Sequence, residues 1–231
     1  MKNTSGNRYA LRDKFYSILK SRPLAQKAIF RLREEGDLLL FGGAVREFFN
    51  SDFEVIPRDF DIVVNSTNKD FERFFRGIPY KKNRFDGYKL NVDGLIFDIW
   101  GLSSTWAFKE KKVSDVRKEN LPKTVFLNYD SVVYNLRTGD LYDEGYINAK
   151  KDKILDIVLE ENPFPELNIL RSFVFNKRDQ MSYSDCLISY ISDWCRKNNG
   201  HEVELLLNAQ SKHYGKEYIT QSEIEKELSV F

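Results

Sequence analysis

Hydrophobic and polar positions divide the chain into two regimes, short strand-like segments up to about residue 145 and helical spacing from about residue 151 onward. Leu24, Ala28, Ile29 and Leu32 form an apolar stripe that predicts a helix over residues 23–35, stopped by Gly36. It feeds the run Leu38-Leu39-Leu40-Phe41, a strand, and then Gly42-Gly43, a turn that opens a second helix. In residues 58–64, Arg-Asp-Phe-Asp-Ile-Val-Val, the period of two sets Asp59 and Asp61 on one face, with Phe60, Ile62 and Val64 on the other. Ser66 or Thr67 can cap a following helix whose Phe71, Phe74 and Phe75 make a core face, with Gly77 ending it.

Residues 88–100 read as a hairpin around Asp93-Gly94, a dipeptide suited to a tight type I′ turn. A two-residue turn sets Lys89 across from Asp98 and puts Ile96, Asp98 and Trp100 on one face. Residues 132–136 and 141–143 form another hairpin across Arg137-Thr138-Gly139-Asp140. Five helices follow, over about 151–161, 165–178, 184–198, 202–213 and 222–230, punctuated by Pro163, Pro165, Gly200 and Gly215. The expected organisation is α+β: a head over residues 1–145 with a mixed sheet and flanking helices, then a small all-helical domain over 146–231.

Composition narrows the picture only slightly. The 231 residues are 42% apolar, enough for a sizeable core, and 36 Lys and Arg balance 35 Asp and Glu. Any nucleic-acid affinity therefore needs a local basic patch. Residues 1–6 lack an apolar signal region and no run reaches the length of a membrane span, so a cytoplasmic protein without membrane contact is expected. Cys186 and Cys195, nine apart, fit two reduced thiols, and neither His201 nor His213 has metal-ligand spacing.

The candidate chemistry lies in the first regime. Same-face strand residues two apart are about 6.5–7 Å from Cα to Cα. Asp59 and Asp61 can thus converge on divalent cations about 3.5–4 Å apart, the arrangement used for displacement at phosphorus. Gly42 and Gly43 open a helix whose unpaired N–H groups favour an anion. Arg46, one turn on, is a candidate phosphate partner; the plainer alternative is an ion pair with Glu47 or Asp59.

Gly-Gly-Ala-Val-Arg-Glu over 42–47, followed by Arg-Asp-Phe-Asp-Ile over 58–62, resembles the head domain of CCA-adding tRNA nucleotidyltransferases and bacterial poly(A) polymerases, in the polymerase-β-like nucleotidyltransferase superfamily. The resemblance implies a two-ion Mg²⁺ site on Asp59 and Asp61, the β- and γ-phosphates of an NTP at Gly42, Gly43 and Arg46, and Asp98 as third catalytic carboxylate. A cross-strand ion pair with Lys89 is the alternative for Asp98. The similarity weakens further on. The family's Asp and Asn before its second hairpin fall on Phe126 and Asp130, and its base-reading Glu-Asp-x-x-Arg falls on Phe164, Pro165 and Asn168, with Arg171 beyond it as a candidate base or phosphate contact or else a surface residue.

The implied activity is transfer of NMP to an RNA 3′ end, tRNA first, with release of pyrophosphate. The lost base-reading pattern keeps a protein or small-molecule acceptor open, and a silent nucleotide-binding module is a third reading. Residues 80–85 and the basic stretch 106–117, with Lys109, Lys111, Lys112 and Arg117, are candidate RNA contacts or else solvated loops. The oligomeric state is not readable from the sequence.

Overall fold

Seven short strands pair in the order β3-β4-β5-β2-β1-β6-β7. Their ranges are β1 Asp37–Phe41, β2 Phe60–Asn65, β3 Tyr80–Lys82, β4 Tyr88–Val92, β5 Leu95–Gly101, β6 Val132–Asn135 and β7 Leu141–Asp143. Only β2 and β5 run parallel; every other neighbouring pair is antiparallel. The computed structural model describes residues 8–68, 70–83 and 86–231. The sheet belongs to one of two compact units, formed by the described residues up to Thr124 with Asp130–Glu144; Val125–Tyr129 and Gly145–Phe231 form the other.

The central strands β4, β5, β2 and β1 share one apolar, helix-covered face. Phe60, Ile62, Val64, Leu40, Phe97 and Ile99 are fully buried, and Phe60 stacks on Phe97 at 5.6 Å between ring centroids. Helices α1 (Ala10–Leu19) and α2 (Pro23–Glu35) contribute Phe15, which meets Phe60 edge-on at 5.3 Å, and Ile29 and Leu32. The apolar spacing had not marked α1. On α2 the buried stripe runs through Ala25, Ala28, Ile29 and Leu32, whereas Leu24 is 39% exposed.

The Asp93-Gly94 hairpin has the expected register, with Lys89 opposite Asp98 and both turn residues at positive φ. It also caps a helix. Asp93 Oδ2 accepts the Leu24 and Ala25 N–H groups at 2.7 and 3.0 Å, which satisfies two donors at the start of α2.

The helix expected after Ser66 is absent. Ser66 Oγ, Asn68 Oδ1 and Asp70 Oδ1 each accept a backbone N–H two residues on, a local bonding pattern that competes with helix, and only a 3₁₀ turn, Glu72–Phe75, remains. Phe71, Phe74 and Phe75 are nevertheless buried, as the spacing required.

In the second unit, α5 (Tyr146–Asp152) stops at Lys153, which adopts φ 60°. Residues 154–161 are therefore not helical as expected. Ile154–Leu155 (β8) pairs in parallel with Ser182–Tyr183 (β9), a contact that no local periodicity signals. Helices α6 (Pro165–Asp179), α7 (Asp185–Lys197), α8 (Glu202–Tyr214) and α9 (Gln221–Leu228) lie close to their expected ranges. The segment Val125–Tyr129 packs here: Leu127 bridges Ile157, and the Phe126 and Tyr129 rings contact Tyr190 and Phe175. Among the described residues no helix is long and apolar enough to cross a membrane.

Candidate active site

Asp61 and Asp98 are direct partners in the parallel β2–β5 pair, so both project from one sheet face, and Asp59 lies just before β2, two residues ahead of Asp61. The same face turns apolar along the strands. Leu39, Val63 and Val133 pack with Leu102, Phe108 and Leu121, and Phe41, Trp100 and Tyr142 border them. Residues 102–124 thus cover one end of the face and leave the carboxylates at the other.

That cover corrects the expectation of a basic loop over residues 106–117. It opens with a short helix, α4 (Trp106–Lys109), and buries Ala107 and Phe108. Lys109 pairs with Asp86 at 3.3 Å.

The diglycine turn stands at the carboxylate end. Leu40 pairs with Ile62, so the end of β1, from which Gly42 continues, lies beside the start of β2, where the acids are. Gly42 has φ 55° and ψ −110°, and a Cβ there would meet the Asp130 carbonyl oxygen at 3.5 Å. Its N–H donates to the Val132 carbonyl at 2.8 Å and its carbonyl accepts the Arg46 N–H at 3.0 Å. Helix α3 (Gly43–Ser51) begins there, and its first N–H groups form the anion-favouring end.

Arg46 is buried, and its guanidinium donates to the Asp130 carboxylate. Glu47, one of the two pairing partners weighed from the sequence, lies at 3.9 Å. Sequence reasoning missed Asp130 as a partner; the one available signal was that an acid occupies the position where the family's Asn was laid.

Asp59 Oδ2 accepts from Arg58 at 2.6 and 3.0 Å, and Asp98 Oδ2 meets Lys89 Nζ at 3.0 Å. Burial pushes the Asp98 carboxyl above its ordinary range; Lys89 opposes this shift and the Asp59 charge adds to it. Among the described residues no three His, Cys, Asp or Glu side chains converge as a ready metal cage. Mg²⁺ ordinarily takes one or two carboxylates plus substrate phosphates and water. Hard oxygen donors beside an anion-favouring helix end fit that mode.

At the positions laid against the base-reading motif, Phe164 is half exposed, while Asn168 is buried and donates its amide to the Asn162 and Pro163 carbonyls at 3.4 and 3.2 Å. The Arg171 guanidinium sits over the Phe175 ring at 5.4 Å. Of the candidate RNA segment 80–85, Tyr80–Lys82 forms the exposed edge strand β3, and Arg84 and Phe85 lie outside the described residues.

The mixed sheet, with Asp61 and Asp98 at one strand end and the diglycine-to-helix turn beside them, is similar in fold to solved CCA-adding and tRNA-processing enzymes. A CCA-adding enzyme with ATP matches with a TM-score of 0.66 at 17% identity, over 96% of this chain and 53% of that one. The Thermotoga maritima CCA-adding enzyme complexed with tRNA matches with a TM-score of 0.61 at 16% identity, over 90% and 52%. An apo tRNA-processing enzyme matches with a TM-score of 0.62 at 19% identity, over 86% and 55%. The chain spans about half the length of these proteins. No family model matches it, and no curated protein does.

Proposed function

We propose that the protein is an Mg²⁺-dependent nucleotidyltransferase that moves NMP from an NTP to an RNA 3′ end, tRNA being the first candidate, in the cytoplasm. One observation carries the reading: Asp61 and Asp98 stand in register on adjacent parallel strands, with Asp59 just before the start of β2 and the diglycine turn at the same strand end. The head is assigned to residues 1–145, with 146–231 as a helical neck and C-terminal domain. Solved structures of like fold hold ATP, CTP or tRNA, which agrees with NTP and RNA as partners.

In this reading the 3′ oxygen attacks the α-phosphorus, the bond to the bridging β-phosphate oxygen breaks, pyrophosphate leaves, and the hydroxyl proton passes to water. Asp59 and Asp61 hold the metal, with Asp98 as third carboxylate. Bound Mg²⁺ would supply activation of the attacking hydroxyl and countercharge for pyrophosphate. Gly43 and the start of α3 receive the β- and γ-phosphates across the Gly42 bend, with Arg46, held by Asp130, behind them.

The test is transfer from each α-labelled NTP to total RNA with Mg²⁺. Label is expected on RNA, with a loss of at least about 100-fold in Asp59→Asn and Asp61→Asn if the charges are needed at phosphorus. Full transfer by both variants overturns the assignment. A second reading, a protein acceptor, draws on the Asn168 amide, which is spent on backbone carbonyls rather than offered to a base. Label on protein with RNA unmodified would select it.

A further inference from the structure

The cross-strand register lines up four charges on the carboxylate face. Lys81 pairs with Lys89, Lys89 with Asp98, and Asp98 with Asp61, so β3, β4, β5 and β2 present two ammonium groups and then two carboxylates in one row. Two lysines side by side repel, which favours Lys89 leaning toward Asp98. Its Nζ lies 3.0 Å from Asp98 Oδ2, with the lysine side chain 52% exposed and the carboxylate 27% exposed. A half-exposed ammonium on a flexible stem is a weak, exchangeable partner.

Resting on the metal-binding reading above, we propose that Lys89 is a tethered counter-ion that occupies Asp98 in the metal-free protein and must yield it to a divalent cation. Asp59 has a different hydrogen-bond partner, Arg58. The exchange concerns the Lys89–Asp98 pair. It makes the third carboxylate a regulated ligand: Lys89 lowers the affinity of the empty site for metal and, once displaced, stands beside Lys81 facing whatever anion the site admits.

The readout is Mn²⁺ binding to nucleotide-free protein by electron paramagnetic resonance, without any turnover. Lys89→Met is expected to tighten Mn²⁺ about three- to tenfold, the scale of removing one positive charge near a dication in a well-hydrated site. Lys89→Arg should behave like wild type. In an Asp98→Asn background, Lys89→Met should give no gain. An unchanged affinity in Lys89→Met overturns the proposal, as does a gain that persists without Asp98. In either of those cases the carboxylate reading stands if Asp59→Asn and Asp61→Asn abolish Mn²⁺ binding. No Mn²⁺ binding by any of these proteins at millimolar metal overturns both.

Discussion

Arg46 carries more of the local architecture than its place in a phosphate-binding motif suggests. Its guanidinium and the Asp130 carboxylate are both nearly excluded from water, and Asp130 also lends its carbonyl to the wall against Gly42. Removing one partner of a buried ion pair leaves a charge without compensation, at about 3–5 kcal/mol. Asp130→Ala is therefore expected to lower the unfolding free energy by about 3 kcal/mol in urea titrations, and Asp130→Asn, which keeps an acceptor, by less. If Asp130→Ala unfolds at the wild-type urea midpoint, the pair does not hold the turn. Asp59, Asp61, Gly42 and Gly43 stand out in the sequence as candidates because strand alternation and turn chemistry are local. The sequence could not expose the Arg46 partner, which lies 84 positions away and is fixed only when β6 pairs with β1.

At the scale of elements, the β4–β5 hairpin was readable to the residue because Asp93-Gly94 sets the register by itself. What periodicity could not convey is that the same Asp93 carboxylate caps α2, some 69 positions earlier. Asp93→Gly keeps the positive φ accessible and deletes only the cap. A loss of about 1 kcal/mol is expected in equilibrium unfolding, within the range for helix N-caps. No change would mean that water replaces the carboxylate at no cost. The two misjudged helices fail for opposite reasons. Over 66–76 short polar side chains bond locally and break the helix, whereas over 154–161 a long-range strand pairing overrides a helical spacing that remains plausible on its own. Residues 106–117 read as a loop in the sequence because Phe108, buried in the cover, stands among lysines.

On the scale of the whole chain, each unit has its own core, and the second carries an acid-sensitive tie. The head buries the sheet faces, and the second unit is tied at its end by Glu223, which completes a capping box with Thr220 and pairs with Lys177 Nζ at 2.7 Å. Hydrogen bonding and charge from Lys177, with the Thr220 bonds, pull the Glu223 carboxyl down to about 2. A group whose pKa is depressed by folding adds stability that is fully present above its unfolded value, near 4.3, and lost as pH falls through the folded value. The thermal midpoint of the wild type should therefore decline between about pH 4.5 and pH 2 more steeply than that of Glu223→Gln, which carries no titrating carboxyl there. Because Glu223 is solvent-exposed, the difference is expected to shrink in high salt, whereas helix capping by the neutral Gln amide is far less sensitive to salt. Parallel melting curves for the two proteins across this window would remove Glu223 as the acid-sensitive tie of α9, leaving the neutral Thr220 cap to hold that helix.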